Sequence, residues 1–204
     1  RSSFSENEAT GQFAHGGGIC SLGSNAGIID CNISNNDSSG SGGGIYISSR
    51  DIDGDDLGWS NLLVENCLIV ENSAGRDGGG ISANWGSEPN IVNCTIADNT
   101  VTGTGFDTGY GGGLYSCYGN YTYIIDSILW GNSAENGQQI AIGTSYKPAT
   151  VEVYYSDIQG GPTAVWVDDD CTLLWDVEPS HPDYPTNIDK DPLFATGPLG
   201  GYYL

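Results

Sequence analysis

The segment Asp51-Ile-Asp-Gly-Asp-Asp56 has the residue types and spacing of a calcium-binding loop. Calcium takes about six to eight oxygen ligands, which carboxylates at alternate positions supply, and a glycine permits the sharp turn between them. The sequence therefore predicts Ca2+ as a cofactor. The predicted metal ligands are Asp51, Asp53, Asp55 and Asp56.

The far end of this loop departs from the calcium-binding pattern. The position where a glutamate would complete the coordination is Leu62. Asp56, Glu65 or a backbone carbonyl would have to take its place. The alternative interpretation is a hydrated acidic loop that is held by its glycine turn.

The charge of the chain excludes several classes of partner. Aspartate and glutamate number 26 against 5 lysines and arginines, which gives a formal net charge of -21. Because a nucleic-acid-binding protein needs basic residues to neutralise phosphates, we expect no nucleic-acid partner. No apolar stretch reaches the length of about 18 residues that a membrane span needs, so we expect no membrane insertion.

The elements that carry these residues are internal repeats. Runs of three glycines begin at Gly16, Gly42, Gly78 and Gly111, and each run is followed by an isoleucine or a leucine. The loop of the predicted calcium site fills an insertion in the second repeat, between its glycine run and the motif that follows. Repeats of about 25 to 35 residues fit one turn of a solenoid, which buries its apolar face only by stacking on its neighbours.

A second motif recurs in each repeat, and its residues align in columns. One apolar column contains Ile28, Val64, Ile91, Ile124 and Val153. A column of small residues contains Cys31, Cys67, Cys94, Ser127 and Ser156. A second apolar column contains Ile33, Ile69, Ile96, Leu129 and Ile158. The alternation around these positions predicts one strand per motif, with the polar residue just before the small column pointing outward.

An asparagine column follows the strands, at Asn36, Asn72, Asn99 and Asn132. Asparagines that stack on one another can hydrogen-bond along the stack and satisfy a buried turn. Phe4 falls in the second apolar column and Asn7 in the asparagine column, so the first residues form half a coil.

These repeats predict an all-β fold, a single-stranded right-handed parallel β-helix of about five to six coils. The coils are expected over residues 1–161, starting in the middle of a coil, and residues 162–204 are expected to form a terminal coil or tail that packs on the helix. Tandem antiparallel hairpins are the structural rival, but they would need turn signals every 8–12 residues or so.

The glycine runs and the line Asn93-Cys-Thr-Ile-Ala-Asp-Asn99 resemble the right-handed β-helix repeats of the pectin-lyase-like superfamily. The pairing of Gly-Gly-Ile with Asn-Cys-Thr-Ile also resembles repeats of polymorphic outer-membrane proteins and bacterial adhesins. Further matches to secreted β-helix repeat proteins are Ile128–Asn132, Tyr155–Gly160 and Asn187–Phe194. The resemblance implies the fold strongly and the function weakly, because the superfamily includes lyases, hydrolases, adhesins and fibres.

The catalytic residues that the superfamily's enzymes use are mostly missing. Their lyases would place a basic residue on an outer strand face, but Arg50 and Arg76 fall in predicted turns. Their hydrolases carry Asn-Thr-Asp, Asp-Asp, His-Gly and Arg-Ile-Lys motifs, and this chain has only the second and third, as Asp55-Asp56 and His15-Gly16. We therefore identify no catalytic residue. The missing residues count against an enzyme, and the sequence leaves this question open.

Two further groups of residues allow more than one interpretation. Many aromatic residues are predicted to be exposed, among them Trp85, Tyr115 and Tyr118; such residues suit stacking on sugars, or they form loop cores or a protein contact. The cysteines of the small column are expected to stay unbonded, whereas a disulfide through Cys171 is left open.

The sequence therefore favours a secreted or cell-surface structural module, an adhesin or fibre subunit stabilised by calcium. Its expected partners are carbohydrate and, because an open β-helix end exposes unpaired strand edges, further copies that stack end to end. The alternative function is a polysaccharide lyase or glycoside hydrolase that acts on acidic polysaccharide.

Overall fold

A computed structural model describes residues 2–11, 14–50, 55–58, 60–105, 107–143, 146–176, 186–197 and 200–203. Its strands in chain order are β1 (Ser2–Ser5), β2 (Glu8–Ala9), β3 (Ile19–Leu22), β4 (Gly27–Ile29), β5 (Cys31–Ser34), β6 (Asp37–Ser38), β7 (Ile45–Ser48), β8 (Leu63–Glu65), β9 (Leu68–Val70), β10 (Ser73–Ala74), β11 (Ile81–Asn84), β12 (Asn90–Val92), β13 (Thr95–Ala97), β14 (Thr100–Val101), β15 (Leu114–Ser116), β16 (Tyr121–Ile125), β17 (Ile128–Trp130), β18 (Ile140–Ile142), β19 (Thr150–Tyr154), β20 (Asp157–Ile158), β21 (Trp166–Val167), β22 (Thr172–Trp175), β23 (Ala195–Gly197) and β24 (Gly200–Tyr203). One 3-10 helix spans Gly161–Ala164.

The strands form four parallel sheets that run along a solenoid, and the predicted parallel β-helix is confirmed. Sheet A contains β1, β5, β9, β13, β17 and β20, and sheet B contains β2, β6, β10 and β14. Sheet C contains β3, β7, β11, β15, β18 and β21, and sheet D contains β4, β8, β12, β16, β19 and β22. The chain passes through sheets C, D and A in turn, and in the first coils also through sheet B, which ends at β14.

The predicted columns form the core in register. Ile33 pairs with Ile69, Ile96 with both Ile69 and Leu129, and each of these side chains is fully buried. Burial of an aliphatic side chain contributes about 1.5 to 3 kcal/mol, so this column alone contributes substantially to the stability of the solenoid. Phe4 pairs with Ile33 and so extends this column by one position.

The prediction of one continuous strand per motif is wrong, because a single residue bends the chain between sheets D and A. Asp30, Asn66, Asn93, Asp126 and Tyr155 occupy this corner with φ between 50° and 56°. Aspartate and asparagine tolerate the left-handed conformation better than other residues with a side chain. The corner turns the next strand without disturbing the columns on either side of it.

The asparagine column is buried and hydrogen-bonded along the axis, as predicted. The Nδ2 groups of Asn36, Asn72 and Asn99 each donate to the Oδ1 atom of the next asparagine over 2.9 Å. Asn7 joins the ladder by donating to Asn36 over 2.8 Å. Asn132 donates to Gln139 Oε1, which extends the ladder toward the C-terminal coils.

The C-terminal part adds one more coil and a hairpin. β21 pairs with β18 and β22 pairs with β19, so residues 166–175 continue sheets C and D. β23 and β24 pair with each other antiparallel. The Tyr202 hydroxyl lies 2.7 Å from Asp98 Oδ2, which fastens the hairpin to the turns beside sheet A.

All six cysteines are free thiols. Cys67 and Cys94 are buried on successive coils, and their thiols donate to backbone carbonyls. The small column therefore fills the corner of the core without covalent bonds, as expected for a ladder of small apolar residues.

Candidate functional site

The turns that follow sheet C carry aromatic residues on consecutive coils. Asn84 and Cys117 align between coils, so Trp85 lies at the same position as Tyr118 and Gly86 at the same position as Gly119. Trp85 and Tyr118 have φ values of 59° and 61°, and the glycines that follow them also have positive φ. Both turns therefore need two successive left-handed residues, the second of which is glycine.

A bulky aromatic residue is an unusual occupant of a left-handed position. This conformation costs a residue with a Cβ atom about 1–2 kcal/mol, and asparagine or glycine would suit the backbone better. Trp85 and Tyr118 therefore do not serve the turn itself. Strained residues of this kind cluster at binding sites, where the surrounding contacts compensate for the strain.

The side chains of these turns stack along the solenoid axis. The Trp85 and Tyr118 rings lie 4.0 Å apart between centroids, at an interplanar angle of 21°. The Arg50 guanidinium lies 4.3 Å from the centroid of Trp85. Tyr146 lies beside this pair, at 6.0 Å from Tyr118 and 6.3 Å from Trp85 between ring centroids, and it is 90% exposed. Cation–π and aromatic stacking of this type contribute about 0.5–1.5 kcal/mol for each pair.

Lys147 packs against the Tyr118-Gly119 turn because Gly119 leaves room for it. A Cβ atom on Gly119 would lie 3.1 Å from Lys147 Cβ and 3.3 Å from Lys147 Cδ. The aliphatic part of Lys147 therefore lies across the turn backbone, and its ammonium group remains exposed.

These residues line a groove of 670 Å³, which is large enough for a short oligosaccharide. We call it the aromatic groove and define it by Arg50, Trp85, Tyr118, Tyr146 and Lys147. The remaining lining residues are Ser49, Asp56, Gly58, Gly86 and Gly119. Because Arg50 and Tyr118 flank Trp85, the most accessible ring face is that of Tyr146, while Trp85 and Tyr118 form the wall.

The predicted calcium ligands divide between described and undescribed residues. Asp51 and Asp53 lie outside the described residues. Asp55 and Asp56 are both exposed, and Asp56 Oδ1 accepts a hydrogen bond from the Gly58 N–H over 2.8 Å. The described ranges contain no group of three acidic, histidine or cysteine side chains that could hold a metal ion. The calcium site stays a prediction.

Other aromatic residues that were predicted to be exposed have different surroundings. Tyr115 is only 7% exposed and stacks against Tyr110, so the prediction of its exposure is wrong. Tyr110 also contacts Trp166, at 4.7 Å between ring centroids. These three residues form a small core on the outer face of sheet C, where large rings on one coil cover small residues on the next.

The outer face of sheet C also carries His15 and the buried Asp77, just before their glycine runs. His15 Nδ1 accepts the Ser41 N–H over 3.0 Å, so His15 caps the turn of the next coil. Burial, and secondarily Arg76, lower the pKa of His15. Burial raises the pKa of Asp77 to about 6, although its carboxylate accepts the Tyr110 N–H.

Replacing Asp77 by asparagine is expected to stabilise the protein at neutral pH and not at low pH. Between about pH 4 and 6 the folded state holds a proton on Asp77 that the unfolded state has lost, so the free energy of unfolding falls as the pH rises. Asn136 occupies the equivalent position two coils on, so the column accepts this residue. We expect a gain of about 2 kcal/mol at pH 7 and none below about pH 4. Urea unfolding of both proteins from pH 3.5 to 7.5 tests this, and parallel pH profiles would contradict it.

The aromatic groove was not predicted from the sequence. Trp85 and Tyr118 were recognised as aromatic residues that suit sugars, but their grouping with Arg50 and Lys147 depends on the register between coils. The repeated pair of an aromatic residue and glycine, Trp85-Gly86 and Tyr118-Gly119, is the signal that could have revealed it.

The part of the chain that the structure describes contains no helix of the length and hydrophobicity that crossing a membrane requires. A family model described as a right-handed β-helix region matches residues 1–176. No curated protein and no solved structure matches the chain.

Proposed function

Because the chain belongs to the right-handed β-helix family, we propose that it is an extracellular structural module that adheres to carbohydrate through the aromatic groove. The observation that carries this proposal is the cluster that consecutive coils form, in which Arg50 and Tyr118 stack on Trp85 and the exposed Tyr146 ring lies beside them. The fold by itself does not imply a function, so the argument rests on this groove.

Carbohydrate is the ligand class that suits the chemistry of the groove. The exposed Tyr146 ring offers an apolar face against which the C–H groups of a sugar ring can pack. Arg50, Lys147 and Ser49 offer hydrogen-bond donors around it. A ligand site typically combines such an apolar surface with a few polar groups that fix the orientation of the ligand.

Because the backbone at Tyr118 is left-handed, the ring can be removed by a substitution that tests ligand binding with little effect on stability. Tyr118→Asn removes the ring but suits the φ of 61°, so relief of strain offsets part of the lost stacking. We expect the melting temperature to change by only a few degrees, and the affinity for an oligosaccharide that binds the wild type to fall about tenfold or more. Isothermal titration calorimetry against a panel of neutral and acidic oligosaccharides measures this.

Tyr155→Asn is the matched control. Tyr155 is exposed and, like Tyr118, has a left-handed φ, of 51°, but it lies at the corner between sheets D and A, outside the groove. We expect it to bind like the wild type. Equal loss of affinity in both variants, or a wild type that binds no sugar of the panel, would remove the proposal. Release of reducing or unsaturated sugars from uronate polymers would instead favour the alternative function, a lyase or hydrolase.

Calcium on the inserted loop of residues 51–56 belongs to the same proposal. Asp56 both belongs to this loop and lines the groove, so an ion that the loop binds would also hold one side of the groove. We expect calcium at millimolar concentration to raise the melting temperature by several degrees relative to chelator, because it binds only the folded loop. A double variant, Asp53→Asn with Asp55→Asn, should abolish this shift; identical melting curves with calcium and with chelator would remove the calcium proposal.

A role as a fibre subunit is supported by the N-terminal end of the solenoid. β1, β2, β3 and β4 are the outermost strands of their sheets, and Ile19 and Ile28 are only partly buried there. Unpaired strand edges of this kind favour stacking of further coils or copies. Electron micrographs at high protein concentration that show only single short rods would remove this part of the proposal.

A further inference from the structure

We infer that the column of small residues inside the solenoid binds one Cu(I) ion, which the thiolates of Cys67 and Cys94 hold between two consecutive coils. Soft thiolate ligands select Cu(I), whereas carboxylate and carbonyl oxygens select ions such as calcium. The column follows the one-residue corner between sheets D and A, and it shares no residue with the aromatic groove.

The sulfur atoms of the column repeat one orientation from coil to coil. Cys67 Sγ lies 3.3 Å from the Ile28 carbonyl oxygen, and Cys94 Sγ lies 3.4 Å from the Val64 carbonyl oxygen, in each case on the preceding coil. Ile28 and Val64 pair with each other in register. The two thiols also interact directly with each other. Because the sulfur atoms occupy equivalent places on neighbouring coils, their separation follows the strand spacing of about 4.7–4.9 Å.

This spacing suits a bridging metal ion better than a disulfide. A disulfide needs sulfur atoms about 2.0 Å apart and β-carbons within about 4.5 Å of each other, so it would have to draw the two coils together. Two bonds of about 2.3 Å, the length of a zinc–thiolate bond, span about 4.6 Å in a straight line. Cu(I) accepts such linear coordination by two thiolates. It therefore fits between the sulfur atoms while the coils keep their positions.

The surroundings of the column favour an ion that takes two ligands. Cys67 and Cys94 are only 3% and 2% exposed, and Ile91 and Ile96, which flank Cys94 in the sequence, are fully buried. Structural zinc takes four ligands, whereas the described ranges contain no group of three acidic, histidine or cysteine side chains that could hold a metal ion. An apolar shell that restricts access of water and oxidants also protects the reduced, singly charged ion.

Cys31 provides a route for the ion into the column. It occupies the column on the coil before Cys67, and it is only half-buried, with its Sγ 3.2 Å from the Ile29 carbonyl oxygen. An ion that binds the Cys31 thiolate can pass to Cys67 by ligand exchange, because the two sulfur atoms lie on neighbouring coils. The coordinated thiols give up their protons to solvent, so the affinity for Cu(I) rises with pH.

Titration of the reduced, complete chain with Cu(I) tests the inference. Cu(I) is supplied without oxygen as its acetonitrile complex, in competition with a chromophoric Cu(I) chelator. The ultraviolet thiolate-to-copper charge-transfer band reports coordination by sulfur. We expect one ion per chain and a melting temperature that rises by several degrees, because the ion binds only the folded column.

Serine variants identify the ligands. Ser127 occupies the same position on the next coil, where its Oγ accepts the Cys94 N–H over 3.1 Å, so the column accepts serine. Loss of an outer-shell partner costs about 10–100-fold in metal affinity and loss of a ligand costs more, so we expect Cys94→Ser to weaken binding about a hundredfold or more. Cys117→Ser is the matched control, because this thiol is also buried but donates to Asn84 outside the column. It should bind Cu(I) like the wild type.

The Cys31→Ser variant separates the route from the site. It should keep the affinity of the wild type and take up Cu(I) more slowly. Circular dichroism establishes that each variant is folded, and Cys67→Ser gives the same test if Cys94→Ser fails to fold. Equal affinity of the wild type and Cys94→Ser would overturn the inference. An equal loss of affinity in Cys117→Ser, or a wild type without a charge-transfer band, would also overturn it.

Discussion

Replacing Asn99 by alanine is expected to lower the free energy of unfolding by about 4 kcal/mol. Asn99 is fully buried, and its Nδ2 donates to the Ile69 carbonyl and to Asn132 Oδ1, both over 2.9 Å. Its Oδ1 accepts the N–H and the Nδ2 group of Asn72. Alanine removes all four bonds and takes buried partners from Ile69 and Asn72 on one side and from Asn132 on the other, at about 1–3 kcal/mol for each group left unsatisfied.

Asn90→Ala provides the comparison for this variant. Asn90 is half-buried at the start of β12, and its side chain donates to Asn61 Oδ1 near the surface. Water can replace this bond, so we expect a loss below about 1 kcal/mol. Chemical unfolding followed by circular dichroism measures both variants. Equal losses for Asn90 and Asn99 would show that the ladder contributes no more than a surface bond.

The fold could be predicted because each coil repeats the same requirement on its residues. A position that faces the core in one coil lies directly above the same position in the next. Ile33, Ile69 and Ile96 therefore occupy the same environment, and the sequence shows its apolar requirement three times. The one-residue corner could not be read in the same way. A left-handed residue between two short strands resembles an outward-facing strand residue, because both favour polar side chains, and Asp30 fits either description.

The aromatic groove depends on distances that the repeat does not encode. Arg50, Trp85 and Tyr118 lie in turns whose lengths differ, and the insertion at residues 51–56 separates the first of them from its motif. Only the register of β7, β11 and β15 shows that these turns coincide along the axis. Local composition indicated sugar-binding aromatic residues, whereas the cations beside them became relevant only through the fold.

The middle glycine of the glycine runs leads to the second large expected effect. Gly79 does not have a positive φ, so the requirement for glycine at this position is one of space. A Cβ atom there would lie 2.6 Å from the Gly112 carbonyl oxygen and 2.8 Å from the Thr100 backbone. These are main-chain atoms of the next coil and of β14, and rotating a side chain cannot relieve the overlap.

Gly79→Ala is therefore expected to separate neighbouring coils and lower the free energy of unfolding by about 4 kcal/mol or more. The displaced backbone would lose the bonds from Gly79 N to Gly111 O and from Gly44 N to Gly79 O, which connect three successive coils. Gly27→Ala is the control, because its Cβ would meet only the flexible end of Ile29 at 3.2 Å. The two variants are compared by soluble yield and by thermal melting. Soluble yield gives the comparison if Gly79→Ala fails to fold. Folding of Gly79→Ala with the melting temperature of the wild type would mean that the coils can move apart without loss of stability.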